Sequence, residues 1–189
     1  SFQAIIGTTY SILVKIQDDV TRFQRVFREL ARKSSIITIP IMLSLIVVAK
    51  PLIAVFLTSK WLPSVPYFQL LCLASIFNPL YTLSISALNA RGKSKVTFRI
   101  EIIKKALIAL SVVVCFKYGI IALLIGYVVV CWISYILSVI ELKKDLTHYW
   151  KHQFIDIFPS LGIGLVIAGV LYVFSIFIAN QHLLFSIQF

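Results

Sequence analysis

IIALLIGYVVVCWISYILSVIE, residues 120–141, holds no charged side chain before its closing glutamate. It is about as long as the roughly 20 residues that a helix needs to cross a hydrocarbon core of about 30 Å. A helix apolar on every face must be surrounded by other apolar matter, either a large protein core or lipid. The chain as a whole points to lipid. Of its 189 residues, 60% are hydrophobic and only 13% are charged, with a mean hydropathy of +0.97. A soluble domain is typically about a quarter charged. Four further runs of comparable character cover about 34–58, 66–89, 100–116 and 154–179, the third being the shortest. None alternates as a membrane barrel strand does. A helix satisfies its own backbone groups in lipid, so the expected fold is all-α, a polytopic transmembrane helix bundle.

The connections between these runs give an orientation. Lys15, Arg22, Arg25, Arg28, Arg32 and Lys33 lie before the first full run. Arg91, Lys93, Lys95 and Arg99 lie before the third, with Lys104 and Lys105 following, and Lys143, Lys144 and Lys151 lie before the fifth. Of the 18 Lys and Arg, only Lys50, Lys60 and Lys117 belong to the intervening connections. Basic loops are cytoplasmic, so Ser94 and Thr147 are predicted inside and Ser64 outside. The net charge of +11 is thus chiefly a topology signal, and no soluble basic face suggests a nucleic-acid partner.

The chain opens on Ser1-Phe2-Gln3, and its first apolar stretch has neither a preceding positive charge nor a small-residue cleavage site. That is unlike a signal peptide. Residues 1–14 read as the end of a spanning helix and 180–189 as the start of another. Between them, 15–33 forms an amphipathic cytoplasmic connector and 34–179 a region of five spans. In the connector, Val20, Phe23, Val26, Phe27 and Leu30 recur at helical spacing. Such a segment is expected to lie in the membrane surface, apolar side down, with its arginines near lipid phosphates. Pro40, Pro51, Pro79 and Pro159 are expected to kink their helices, and Gly162, Gly164 and Gly169 to allow close helix approach. Cys72, Cys115 and Cys131 fall in apolar runs without metal-ligand spacing and read as small buried hydrophobes.

The order of several short motifs carries a family resemblance. Lys15-Ile16-Gln17-Asp18-Asp19, with a helical stub before it and the basic connector after it, resembles the middle of bacterial polysaccharide repeat-unit exporters. The stretch Ala49-Lys50-Pro51-Leu52-Ile53-Ala54-Val55-Phe56-Leu57, with Lys60-Trp61 after it, is similar to that family's outer-face turn. There a glycine usually stands a little before the Lys-Trp pair; here Thr58 and Ser59 occupy that stretch. Phe68-Gln69-Leu70-Leu71 follows, then Asn89-Ala90-Arg91-Gly92-Lys93, similar to the family's cytoplasmic turn. The resemblance covers about residues 1–145. It implies a two-lobed flippase/antiporter fold with six helices in each lobe, of which this chain is the C-terminal lobe. It further implies a bacterial inner-membrane protein that carries undecaprenyl-pyrophosphate-linked oligosaccharide from the inner to the outer leaflet by alternating access, without a cofactor. Its implied partners are the lipid-linked oligosaccharide, membrane lipids, the glycan biosynthesis machinery and a coupling ion, H⁺ or Na⁺.

Moving a sugar and a pyrophosphate through hydrocarbon requires cations and polar groups along a protected path, because an unpaired charge there costs several kcal/mol or more. The candidate substrate-binding residues are accordingly Arg91, Arg99, Lys104 and Lys105 at the inward mouth, and Asn78, Thr82 and Asn89 on one face of the second span. Competing with this, Glu101 stands at i−3 and i−4 from Lys104 and Lys105 and is expected to pair with them locally. Ser75, Asn78, Thr82, Ser84, Ser86 and Asn89 also suit plain interhelical hydrogen bonding. Lys50 suits snorkelling to the outer interface. His148, His152 and Asp156, four apart, read as a solvated face rather than a metal site. Two rival functions remain. A cation-coupled multidrug antiporter would need acidic residues deep within spans, and none is expected here. A membrane-embedded glycan ligase or polymerase would need a sizeable outer loop, whereas the outer connections are short and lack acidic residues.

Overall fold

The computed structural model describes residues 13–16, 19–144 and 159–173. Every regular element among them is helical. The first long helix, α1 (Val20–Leu57), is 38 residues long. Asp19 caps its start, its side chain accepting from the Arg22 N–H at 2.9 Å. No glycine or proline interrupts the chain until Pro40, so the connector and the first span form one continuous helix. At 1.5 Å per residue it is about 57 Å long, well beyond a hydrocarbon core.

The connector's apolar stripe does not face lipid headgroups as its periodicity suggested. Phe23, Phe27 and Ala31 are buried inside the protein, in one core with Leu80, Leu83, Ala87, Leu88, Tyr135, Val139 and Leu142. Phe23 and Phe27 stack with centroids 6.5 Å apart. The correction has a simple cause: the same helical register continues into Ala31, Ser35 and Ile39, all buried, so one protein-facing stripe runs down the connector and the span.

A short 3-10 turn, Ser59–Ser64, reverses the chain. The return span is broken into α2 (Val65–Ser75) and α3 (Asn78–Ala90). After a tight turn come α4 (Ser94–Cys115), a 3-10 turn over Phe116–Tyr118, and α5 (Ile120–Lys143). Pro159–Val173 forms a further apolar helix, α6. The broken span lies between α1 on one side and α5 on the other, while α5 also carries most of the contact with α4. The turn between α3 and α4 closes as a Schellman motif. The Lys93 N–H bonds the Leu88 carbonyl at 2.9 Å, the Gly92 N–H bonds that of Asn89 at 3.0 Å, and Gly92 takes φ +71°.

Among the described residues, three stretches are long and apolar enough to cross a membrane: Val20–Leu57, Lys60–Ala90 across its break, and Ile120–Lys143. Their outer surfaces are apolar, with Val55 and Phe56 some four-fifths exposed. This is a multi-pass, all-α membrane helix bundle. The third expected span differs: α4 begins at Ser94, before the apolar run, so it takes in Arg99 and puts Glu101, Lys104 and Lys105 two to three turns from its start. The fifth is described only over α6.

Two close crossings tie the bundle together. On α6, Ser160, Gly164 and Ala168 form a small-residue stripe that is buried. A Cβ on Gly164 would lie 2.7 Å from a Leu43 methyl and 3.3 Å from Pro40 Cα, and the Ser35 and Ser160 hydroxyls meet at 3.4 Å. Gly162 and Gly169, by contrast, face open space. Gly126 brings α5 against Ser111 and Cys115 of α4 in the same manner.

Candidate functional site

The break between α2 and α3 falls where Pro79 would need to continue a helix. Proline supplies no N–H, and its ring crowds the carbonyl four residues back. The ladder gives way at Ile76 and Phe77, just ahead of it. In a lipid-surrounded span the freed carbonyls need new donors. The Trp132 indole N–H of α5 reaches the Leu73 carbonyl at 3.3 Å. Phe77 packs edge-on to Trp132 (5.5 Å) and stacked on Tyr135 (5.1 Å), so α5 braces the break with aromatic rings. Nearby, Gln69 of the Phe68-Gln69-Leu70-Leu71 motif donates to the Ile46 carbonyl of α1 at 2.9 Å, linking the first two spans.

Beside the break a small cleft opens, lined by Ala74, Phe77, Asn78, Tyr81, Cys131 and Lys104. Asn78 is the first residue of α3, and its side chain is exposed to the cleft. Tyr81 is buried; its O–H donates to the Glu101 carboxylate at 2.6 Å. The Lys104 ammonium lies 4.1 Å from the centre of the Tyr81 ring, a cation–π contact. Glu101 therefore engages Tyr81 across the helix pair, and the local ion pair expected with Lys104 and Lys105 is not what forms. Nor do these groups stand at the start of their helix. Glu101 lies about 10 Å and Lys104 about 15 Å along α4 from Ser94, at the level of Tyr81 on α3. Glu101 itself is half-buried between the two helices.

The remaining candidates are distributed more widely. Arg91 lies at the end of α3, its guanidinium 5.8 Å from the Phe23 ring of α1. Arg99 and Lys105 are exposed on α4, away from the cleft lining. Asn89 is half-buried beside the basic turn, where its carbonyl receives the Gly92 N–H. The hydroxyls of the second span are largely spent within their own helices: Ser75 on Leu71, Thr82 on Asn78 and Ser84 on Leu80, at 2.8–3.0 Å. They remain acceptors but are not the interhelical bonds expected. Lys50 is exposed. Cys72 is buried, whereas Cys115 and Cys131 are half-buried, and Cys131 lines the cleft. His148, His152 and Asp156 lie outside the described residues. Among those described, no group of His, Cys, Asp and Glu is placed to hold a metal.

Sequence reasoning missed Tyr81 and Trp132. Tyr81 is one aromatic among many in a span, and only its pairing with Glu101 on another helix marks it.

Residues 2–66 match the family model described as polysaccharide biosynthesis protein. The chain is 26% identical over 183 residues to the lipopolysaccharide biosynthesis protein WzxC of Escherichia coli (strain K12), covering 94% of the chain and 36% of that protein. It is 28% identical over 209 residues to an uncharacterized membrane protein in the cps region of Klebsiella pneumoniae, covering 95% of the chain and 43% of that protein. The chain therefore spans well under half the length of the curated relatives it matches. No solved structure matches. The resemblance read from the motifs is borne out: over nearly its whole length this chain is similar to a lipopolysaccharide biosynthesis protein and to a membrane protein of a cps region, and its residues 2–66 match a polysaccharide biosynthesis family.

Proposed function

We propose that the chain is the C-terminal lobe of a transporter, not an enzyme, that flips undecaprenyl-pyrophosphate-linked oligosaccharide repeat units across the bacterial inner membrane. The observation that carries this reading is the cleft at the broken span. There a cation, Lys104, and an amide, Asn78, face a shared opening inside an otherwise apolar bundle. An interrupted helix that lines a cavity is how membrane transporters present polar groups at depth. A pyrophosphate head gains most from a cation near a low-dielectric boundary, where water and salt screen less. Arg91, at the basic end of α3, would meet the head first and Lys104 would receive it deeper. Asn78, Thr82 and Asn89 supply polar groups between the two levels, and Arg99 and Lys105 add positive potential at the mouth. The glycan machinery delivers the substrate, and H⁺ or Na⁺ remains the candidate coupling ion.

The test uses the full-length parent protein in cells that lack their own exporter. Lys104→Gln and Arg91→Gln should each lower surface glycan per unit of correctly inserted protein. One charged hydrogen bond of about 1.5–3 kcal/mol sets the expected size. Lys143→Gln, at the exposed end of α5, serves as the control. Export at the parent level by both test variants would mean that these cations set topology only.

A further inference from the structure

Each of the three glutamates of this chain has a lysine at the spacing at which helical neighbours normally form ion pairs. Glu29 pairs with Lys33 at i+4, and Glu141 with Lys144 at i+3, both at 2.6 Å. Glu101 has lysines at both spacings, Lys104 and Lys105, yet its carboxylate takes the Tyr81 hydroxyl at 2.6 Å. Lys104 rests on the face of the same tyrosine, 4.1 Å from the ring centre, at the edge of the cleft. One side chain thus separates two charges that elsewhere in the same chain meet.

We infer that Tyr81 is a positioning residue: it withholds Glu101 from Lys104, so that the ammonium stays available to an anionic phosphate headgroup in the cleft. This rests on the proposed reading of Lys104 as a group that meets the substrate. The physics is a matter of local neutrality. A carboxylate bonded to Lys104 would cancel the charge an anion needs, and would do so most effectively in a partly buried site. The hydroxyl satisfies Glu101 without supplying a positive charge. The ring holds the ammonium by its quadrupole and brings no negative charge that would cancel it. Other charged groups near the cluster do not substitute for this. Lys105 and Arg99 are exposed on α4 and point away from the lining, while α5 contributes only Cys131 to it.

The experiment is a charge-rescue series in the full-length parent, reading surface glycan per unit of correctly inserted protein. Tyr81→Phe keeps the ring under Lys104 and removes only the hydroxyl. It should lower export about tenfold, the equivalent of one charged contact. Tyr81→Phe combined with Glu101→Gln should regain most of that loss, because a glutamine cannot neutralise Lys104. A tyrosine needed merely for packing would not be rescued by removing a charge on another helix. Parent-level export by Tyr81→Phe, or a loss that Glu101→Gln leaves unchanged, overturns the inference while leaving the role of Lys104 intact. Parent-level export by Lys104→Gln removes the premise, and with it both the inference and the anion-contact reading.

Discussion

Thr58 holds a backbone conformation that its own side chain opposes. It takes φ +75° and ψ 163° at the end of α1, a region occupied almost only by glycine. For a β-branched residue the cost is on the order of 1–3 kcal/mol. The resembling exporters usually have a glycine in this stretch, and the sequence showed that departure without showing its consequence. Thr58 is exposed, so replacing it forfeits little packing. Thr58→Gly should relieve the strain at an entropic cost of about 0.5–1 kcal/mol, a net gain of about 1 kcal/mol. The expected reading is a thermal midpoint higher by about a degree for the purified full-length protein in detergent. Thr58→Ala, which keeps a Cβ, should gain little. An equal gain from both variants would place the benefit in the loss of the hydroxyl or the branched side chain and not in the backbone.

At the scale of helices, the α1–α6 crossing rests on one glycine among three. Gly164→Leu would drive a side chain into the Pro40 backbone, which cannot rotate aside as the Leu43 methyl can. Overpacking of this sort costs about 1–3 kcal/mol. The thermal midpoint should fall by several degrees, whereas Gly162→Leu, whose Cβ meets open space, should leave it nearly unchanged. A similar fall in both would show that the crossing is not where Gly164 acts. The sequence displayed three equivalent glycines because periodicity does not say which face meets a neighbour. The same limit explains the other departures. Pro79 announced a weak point in the second span, but its bracing by Phe77, Trp132 and Tyr135 depends on contacts between residues far apart in the chain. The spacing of Phe23 and Phe27 revealed an apolar face and left open whether lipid or protein would cover it. Glu101 and Lys104 were legible as charges at pairing distance; that Tyr81 would come between them was not.

For the molecule as a whole, the alternation of basic and poorly basic connections remains the strongest guide to orientation. The basic turn at Gly92 and the turn at Ser59–Ser64 lie at opposite ends of the broken span, so their side chains should differ in access. In a cysteine-free full-length background, Ser64→Cys should react with a membrane-impermeant thiol reagent in intact cells. Ser94→Cys should react only after permeabilisation. Labelling of Ser94→Cys in intact cells would invert the topology. Hydropathy was enough to reveal a membrane bundle, because lipid acts on whole segments. The cleft was not legible in this way, since it depends on which few side chains of separate helices come into register.

The uninterrupted course of α1 also has a mechanical meaning. Pro40 sits near its middle, pressed against Gly164 of α6, with about 30 Å of helix on the basic side and about 26 Å on the other. Were the helix to pivot there as one body, as the proposed transport would ask of it, the contact would serve as a fulcrum and the helix as a lever with nearly equal arms. A tilt of about 10° around it would carry each tip roughly 5 Å, in opposite directions. Opening at one rim of the bundle and closing at the other would then be a single rotation.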